Sequence, residues 1–204
     1  MVLTTLALLL PARAQERLLE PYLEKGQLAA GRVAVEQALQ QQPGSDELRL
    51  QLALVQFFGA VEKLSQGMYR YGLHDSIFQE MIPFLRLPVK LNPNPEVASN
   101  LAIRQLLQQF LQGLAETSKT LALISDQSAV QVPLRLGRVR LDMDGDGSAS
   151  SGEELWRVWA SLNPGTSLNQ ENAGRFGVHL DVADVRWLEG YCSLLSALGE
   201  TGLA

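Results

Sequence analysis

The chain is short of the residues that most often carry chemistry. It has one cysteine, Cys192, so no intrachain disulfide can staple it. Cys192 lies in an apolar run of helical spacing, which reads as a small buried hydrophobe rather than a reactive thiol. There are only two histidines, His74 and His179. Nucleophile elbow, phosphate-cradling glycine loop, H-E-x-x-H helix and Cys–His pair are all missing. His179, Asp181 and Asp184 are close in sequence, but they read as a strand end followed by a capped helix. Enzymatic activity is therefore not expected. Basic residues number 17 against 22 acidic ones, for a formal charge of −5, and nucleic-acid binding is not expected either. Arg135, Arg138 and Arg140 form the one basic cluster, read as charge balance beside an acidic loop.

Long hydrophobic runs are also lacking. The longest, Val2–Leu10, is too short to span a bilayer. Pro11-Ala12-Arg13-Ala14-Gln15 follows it, and Ala12 and Ala14 have the small-x-small pattern of a signal-peptidase site. Residues 1–14 then read as a leader cleaved after Ala14, giving a periplasmic or secreted protein with no membrane span in the mature chain. A basic segment before the run is missing, so a buried first helix is the other reading.

What is present is concentrated in one stretch, Asp142-Met143-Asp144-Gly145-Asp146-Gly147-Ser148-Ala149-Ser150-Ser151-Gly152-Glu153. It fits D-x-[DN]-x-[DN]-G-x₅-E without a mismatch. Its acids supply four of the negative charges and leave the rest of the chain near −1. Calcium takes six to eight oxygen ligands with little directional demand. Asp142, Asp144 and Asp146 can each offer a carboxylate oxygen from one side of a tight loop. Gly147 stands where the chain must bend, at a φ that glycine reaches without a Cβ penalty. Without a cation the carboxylates repel each other. Magnesium fits less well, because it demands a stricter octahedron and keeps its waters.

Through these residues the loop and the following helix resemble the EF-hand family. The resemblance implies that Ser148 turns its carbonyl to the ion. Ser150 would ligate directly or through water, and Glu153 would clamp with both oxygens. It implies a short entering helix too, although Val132, Leu134 and Leu136 alternate as in a strand and Gly137 interrupts. Two departures stand out. Ala149 occupies the position where paired loops carry a branched apolar residue, and no second match to the template exists. A lone loop reads as a structural ion site, or as half of a pair completed by a homodimer.

Residues 15–66 resemble a degenerate tetratricopeptide repeat. Leu18 and Tyr22 stand at the large positions of a first helix, and Gly26 marks the turn. Gly31, Val35, Ala38 and Leu39 follow at second-helix spacing, and Pro43 closes the unit. Gln15 and Arg49 replace the tryptophans of that pattern, and Phe57 is one place off the expected aromatic. The resemblance implies a possible protein partner for this region. A plain helical hairpin is the alternative.

Ser45 is expected to cap a long helix with Leu48, Leu52, Val55, Phe58, Val61 and Leu64 on one face, ending at Gly67. Glu62, on that helix, reads as a surface residue. Asp75 should cap a short helix within a middle region, 67–129, studded with prolines. Asn94 and Pro95 should start a spine helix of about 40 Å that runs through Val97, Leu101, Leu107, Phe110, Leu114 and Ile124. Region 130–204 holds the loop, its exiting helix through Leu155, Trp156 and Trp159, and a short extended piece at Phe176–Leu180. A final helix capped by Asp181 and Asp184 should pack on the Trp156 helix.

The expected fold is mainly α, with repeat-like hairpins, a spine helix, one loop–helix unit and a minor β pairing. The expected function is binding of a calcium ion, Ca2+, that orders the scaffold. The alternative is a protein-interaction adaptor, which would expose an apolar groove on the helices of residues 16–64.

Overall fold

The computed structural model describes residues 17–73, 89–162 and 165–203. The expected leader at 1–14, His74 and the short helix after Asp75 lie outside the described residues. What is described is mainly helical, with one small antiparallel β pair.

Helix α1, Glu20–Glu24, and helix α2, Leu28–Gln41, form a hairpin. It turns at Gly26, whose φ of 66° lies in the left-handed region. Helix α3 runs from Asp46 to Arg70. The Ser45 hydroxyl caps it by accepting the Leu48 N–H at 3.2 Å. Asp46 and Glu47 lie in its first turn, where the helix dipole favours negative charge. The helix does not stop at Gly67. A Cβ on Gly67 would lie 2.3 Å from Leu106, so this glycine makes room for a neighbouring helix. The stop comes at Gly72, with φ 64°, where the Leu73 N–H bonds back to the Met68 carbonyl.

The spine helix, α4, spans Asn100–Leu121, about 33 Å, rather than starting at Pro95. Ser99 provides the cap, accepting the Ala102 N–H at 3.1 Å. The chain before it is held extended. The Glu96 N–H bonds the Arg70 carbonyl at 2.9 Å, and Arg70 pairs with the Glu96 carboxylate at 2.8 Å. Val97 and Leu101 are consequently exposed. Antiparallel packing of α3 and α4 is close: Gly67 meets Leu106, and Gly113 of α4 meets Ala60 of α3.

Strand β1, Val132–Leu134, pairs with β2, Val178–Leu180, with Val132 opposite Leu180. The alternation around Val132 and the extended piece before Leu180 are thus both realised. Helix α5 covers Leu155–Leu162, and helix α6 covers Val182–Leu203. Asp181 accepts the Ala183 N–H, and Asp184 reaches back to the Asp181 N–H at 2.9 Å, which is the expected reciprocal cap. Helix α6 does not pack on α5. It lies along α4, with Gly199 against Leu107 and Leu111, and Tyr191 reaches Phe57 of α3. Trp159 of α5 turns instead to Phe176, at 5.4 Å.

One core joins these parts. Leu19, Leu23 and Val35 of the hairpin region meet Val55 and Leu64 of α3, Phe110 and Leu114 of α4, and Val185 and Leu195 of α6. Cys192 is fully buried there, and burial pushes its thiol up to about 11. No helix among the described residues is long and apolar enough to cross a membrane.

Candidate metal centre

The acidic loop grows out of the core. Leu141 and Met143 are buried in it, and extended alternation turns Asp142 and Asp144 the other way. The chain then bends at two glycines. Gly145 has φ 74° and Gly147 has φ 86°, both strained for any residue with a Cβ. Asp142 stitches the bend together: its two carboxylate oxygens accept the N–H of Gly145 at 2.8 Å and of Gly147 at 3.1 Å. Asp144 accepts from Asp146, and Asp146 from Ser148 at 2.8 Å. One oxygen from each of Asp142, Asp144 and Asp146 lies within 4.8 Å of the others. Two oxygens bound to one calcium at 2.3–2.6 Å can be at most about 5 Å apart. The spacing and the hard-oxygen chemistry both fit that ion.

The end of the loop is arranged differently. Glu153 is buried, and its carboxylate accepts the Met143 N–H at 2.9 Å, the Ser150 N–H at 2.8 Å and the Ser150 hydroxyl at 2.7 Å. It closes the loop on itself and lies outside the group formed by the three aspartates. Ser150 is committed to Glu153, while Ser148 is exposed and donates to Asp146. An ionised carboxylate has about four acceptor sites, so Glu153 keeps acceptor capacity beyond these three bonds.

The flanks correct the expectation of a short entering helix. No helix enters the loop: β1 and a 3-10 turn, Leu136–Arg138, precede it. The exit is a 3-10 turn, Ser151–Glu153, then an extended Glu154, and only then α5. Glu154 is drawn out by a β-bridge to Arg140, with the Leu155 N–H bonded to the Val139 carbonyl at 2.9 Å. Its buried carboxylate takes Arg140 at 2.8 Å and the Trp156 indole N–H at 2.6 Å. Backbone pairing across the loop base replaces the helix turns that would otherwise flank it.

Three residues distant in sequence complete the surroundings, and composition offers no sign of them. Glu62 of α3 accepts the Asp142 N–H at 2.8 Å, and Gln66, one turn on, donates to the Asp142 carbonyl at 2.8 Å. Glu62 is therefore not a plain surface residue. Burial first, then the Asp142 and Glu153 charges, push its carboxyl up to about 7, against the bond from the Asp142 N–H. Lys90 places its ammonium 2.7 Å from an Asp144 oxygen and 3.8 Å from Glu153. Burial alone would raise the Asp144 carboxyl; the Lys90 bond, with the Asp146 N–H, outweighs it and lowers the group. The arginine cluster does not balance the loop as expected. Arg135 pairs with Glu20 and Glu24, Arg140 pairs with Glu154, and Arg138 lies against Gly174.

Ala149 also has a partner. A Cβ on Gly26 would lie 2.1 Å from the Ala149 Cβ, so the loop docks on the turn of the α1–α2 hairpin. The Arg140 N–H bonds the Leu23 carbonyl beside it at 2.9 Å. His179 is exposed in β2, opposite Pro133, and Asp181 and Asp184 are occupied in capping α6. No family model, no curated protein and no solved structure matches the chain.

Proposed function

We propose that this protein binds one calcium ion in the Asp142–Glu153 loop and that the ion is structural. The observation carrying this reading is the turn that gathers the Asp142, Asp144 and Asp146 oxygens within 4.8 Å. A bound calcium would supply two positive charges to a loop that is otherwise strongly anionic. The residues around it hold the loop in shape. Met143 roots it in the core, Glu153 and Ser150 close its base, and Glu62 with Gln66 grips Asp142. A structural role agrees with those attachments, because Met143, Glu62 and Gln66 tie the loop to the core and to α3. The Ala149–Gly26 contact favours a loop that works alone over one completed by a homodimer, since a neighbour from the same chain already covers that face. An exported location suits the site, because free calcium is scarce in the cytosol.

The adaptor alternative needs an apolar groove on the helices of residues 16–64. Their inner faces are packed in the core instead. An apolar cleft of about 220 Å³ does touch α3 at Leu50, Leu54 and Phe57, but β1, β2 and Trp187 share it. It is smaller than ordinary small-molecule pockets.

Terbium luminescence tests the proposal. Trp156 follows Glu153 closely in the chain and can sensitise a bound terbium ion. Titration of the purified protein should give a saturable signal that calcium displaces at lower concentration than magnesium does. Asp142→Ala should abolish it, and Glu153→Gln should weaken it, because the amide loses part of the acceptor capacity that closes the loop base. A wild-type protein without saturable signal, or variants that bind like wild type, would refute the assignment. Melting with and without chelator then reads the linkage: an ion bound only by the folded state raises Tm with its concentration.

A further inference from the structure

We propose that Lys90 is a tethered competitor for the calcium loop, an ammonium that holds Asp144 at the edge of the cation position and is displaced from it when calcium binds. The inference rests on the calcium reading above and concerns what sets the affinity of that site.

The geometry behind it is a shared carboxylate, that of Asp144, which faces both the aspartate group and the Lys90 ammonium. The Lys90 ammonium is 2.7 Å from the Asp144 Oδ2 and 3.8 Å from the Glu153 Oε1. Those two residues stand near opposite ends of the loop, so a single cation draws the two ends together. A calcium held by Asp144 at 2.3–2.6 Å would lie within about 5 Å of an undisplaced ammonium. A dication and an ammonium that close repel each other and contend for the same lone pairs. Binding of either one therefore disfavours the other.

The chain around Lys90 makes the exchange feasible. The segment is pinned further along, where Asn92 donates to the Tyr69 carbonyl at 3.0 Å and the Glu96 N–H bonds the Arg70 carbonyl at 2.9 Å. These contacts lie on the last turn of α3 and do not involve the loop. The Lys90 side chain is about half exposed, at 48%. Its ammonium can therefore swing into water on a flexible four-carbon stem while Asn92 and Glu96 stay in place. Tethering also keeps the competitor permanently near the loop, at an effective concentration set by the length of its stem.

A competitor and a brace make opposite predictions. If Lys90 competes, removing its charge tightens calcium binding. If Lys90 braces the loop for calcium, removing it weakens binding. Calorimetric titration of calcium into wild type, Lys90→Gln, Lys90→Arg and Lys119→Gln decides between them. Lys119, on the last turn of α4, controls for the loss of a positive charge anywhere on the molecule. The expected result is calcium binding about three- to fivefold tighter in Lys90→Gln, the upper range for losing one exposed ion pair. Lys90→Arg should stay within about twofold of wild type, because the charge is kept. Lys119→Gln should also stay within about twofold, because charges beyond the Debye length are screened.

A second readout separates competition from damage to the fold. Lys90→Gln should lower the Tm of the calcium-free protein by about 1–2 °C, the size expected for one exposed ion pair, and leave that of the calcium-loaded protein unchanged. Unchanged or weaker calcium binding in Lys90→Gln overturns the proposal, as does an equal gain in Lys119→Gln. Failure of every protein to bind calcium overturns the calcium reading and this inference with it. Normal wild-type binding with no gain in Lys90→Gln overturns this inference alone.

Discussion

Replacing Gly26 by alanine should have a large effect for a surface turn, and the contact it disturbs joins the front of the chain to the loop. Two costs arise. The residue has φ 66°, where an L side chain loses about 1–2 kcal/mol to its own carbonyl. The new methyl would also stand 2.1 Å from the Ala149 Cβ, whereas carbon atoms rest at about 3.5–4.0 Å. The loop and hairpin must part by more than an ångström, an overpacking that typically costs about 1–3 kcal/mol. Gly26→Ala should therefore destabilise by about 2–5 kcal/mol, a substantial share of the 5–15 kcal/mol of an ordinary domain.

Ala149→Gly removes the obstructing methyl and should by itself cost under about 1 kcal/mol. In the double variant the steric part disappears and the backbone strain stays. A double-mutant cycle by urea unfolding, followed by circular dichroism, should give a favourable coupling of about 1–3 kcal/mol. Additive single effects would refute the reasoning, because they would mean that the hairpin turn and the loop do not touch. A neutral Gly26→Ala would refute both the contact and the left-handed turn.

Other expectations can be checked on the same material. Phe110→Ala empties the middle of the core, where the ring is 1% exposed, and should cost about 3–5 kcal/mol in urea unfolding with the transition still cooperative. Glu62 holds its proton more tightly folded than unfolded, with its carboxyl raised from the usual 4.5 to about 7. Its contribution in the ion-free protein is thus fully present below about pH 4.5 and is lost as pH rises through about 7. Solvent screening of this half-buried group leaves a change on the order of 1–2 kcal/mol. Denaturant midpoints across that range should show the decline in wild type with chelator, and Glu62→Gln should flatten it; an identical slope in the variant would assign the decline to other groups.

Local signals were the legible ones. Ser45 before a helical stripe, Asp181 with Asp184, the alternation around Val132 and the glycine at 147 each act within a few residues of themselves, so the chain reads them without knowing its fold. The three aspartates belong to the same kind, since one tight bend gathers them. The failures share a different cause. Gly67 has the composition of a stop and the role of a close approach, which only Leu106 across the interface reveals. Pro95 is well suited to begin a helix, yet tertiary bonds from Arg70 hold Glu96 extended, and Ser99 takes over the cap. The entering helix gives way to a β-bridge between Arg140 and Glu154. Glu62, Gln66 and Lys90 come from segments far along the chain, and spacing says nothing about which helix face will meet a loop.

The paired close approaches of α3 and α4 have a mechanical meaning for the loop. Ala60 against Gly113 and Gly67 against Leu106 lie two helical turns apart, and Glu62 and Gln66 fall between them. The two side chains that grip Asp142 thus project from a stretch of helix clamped at both ends by backbone-close contacts. On this side the loop rests on an abutment with almost no travel. On the other it meets Lys90, a single ammonium on a long stem. Strain that reaches the loop is absorbed on the compliant side, so the position of Asp142 is set by the helix pair and the adjustable boundary of the site is the one facing water.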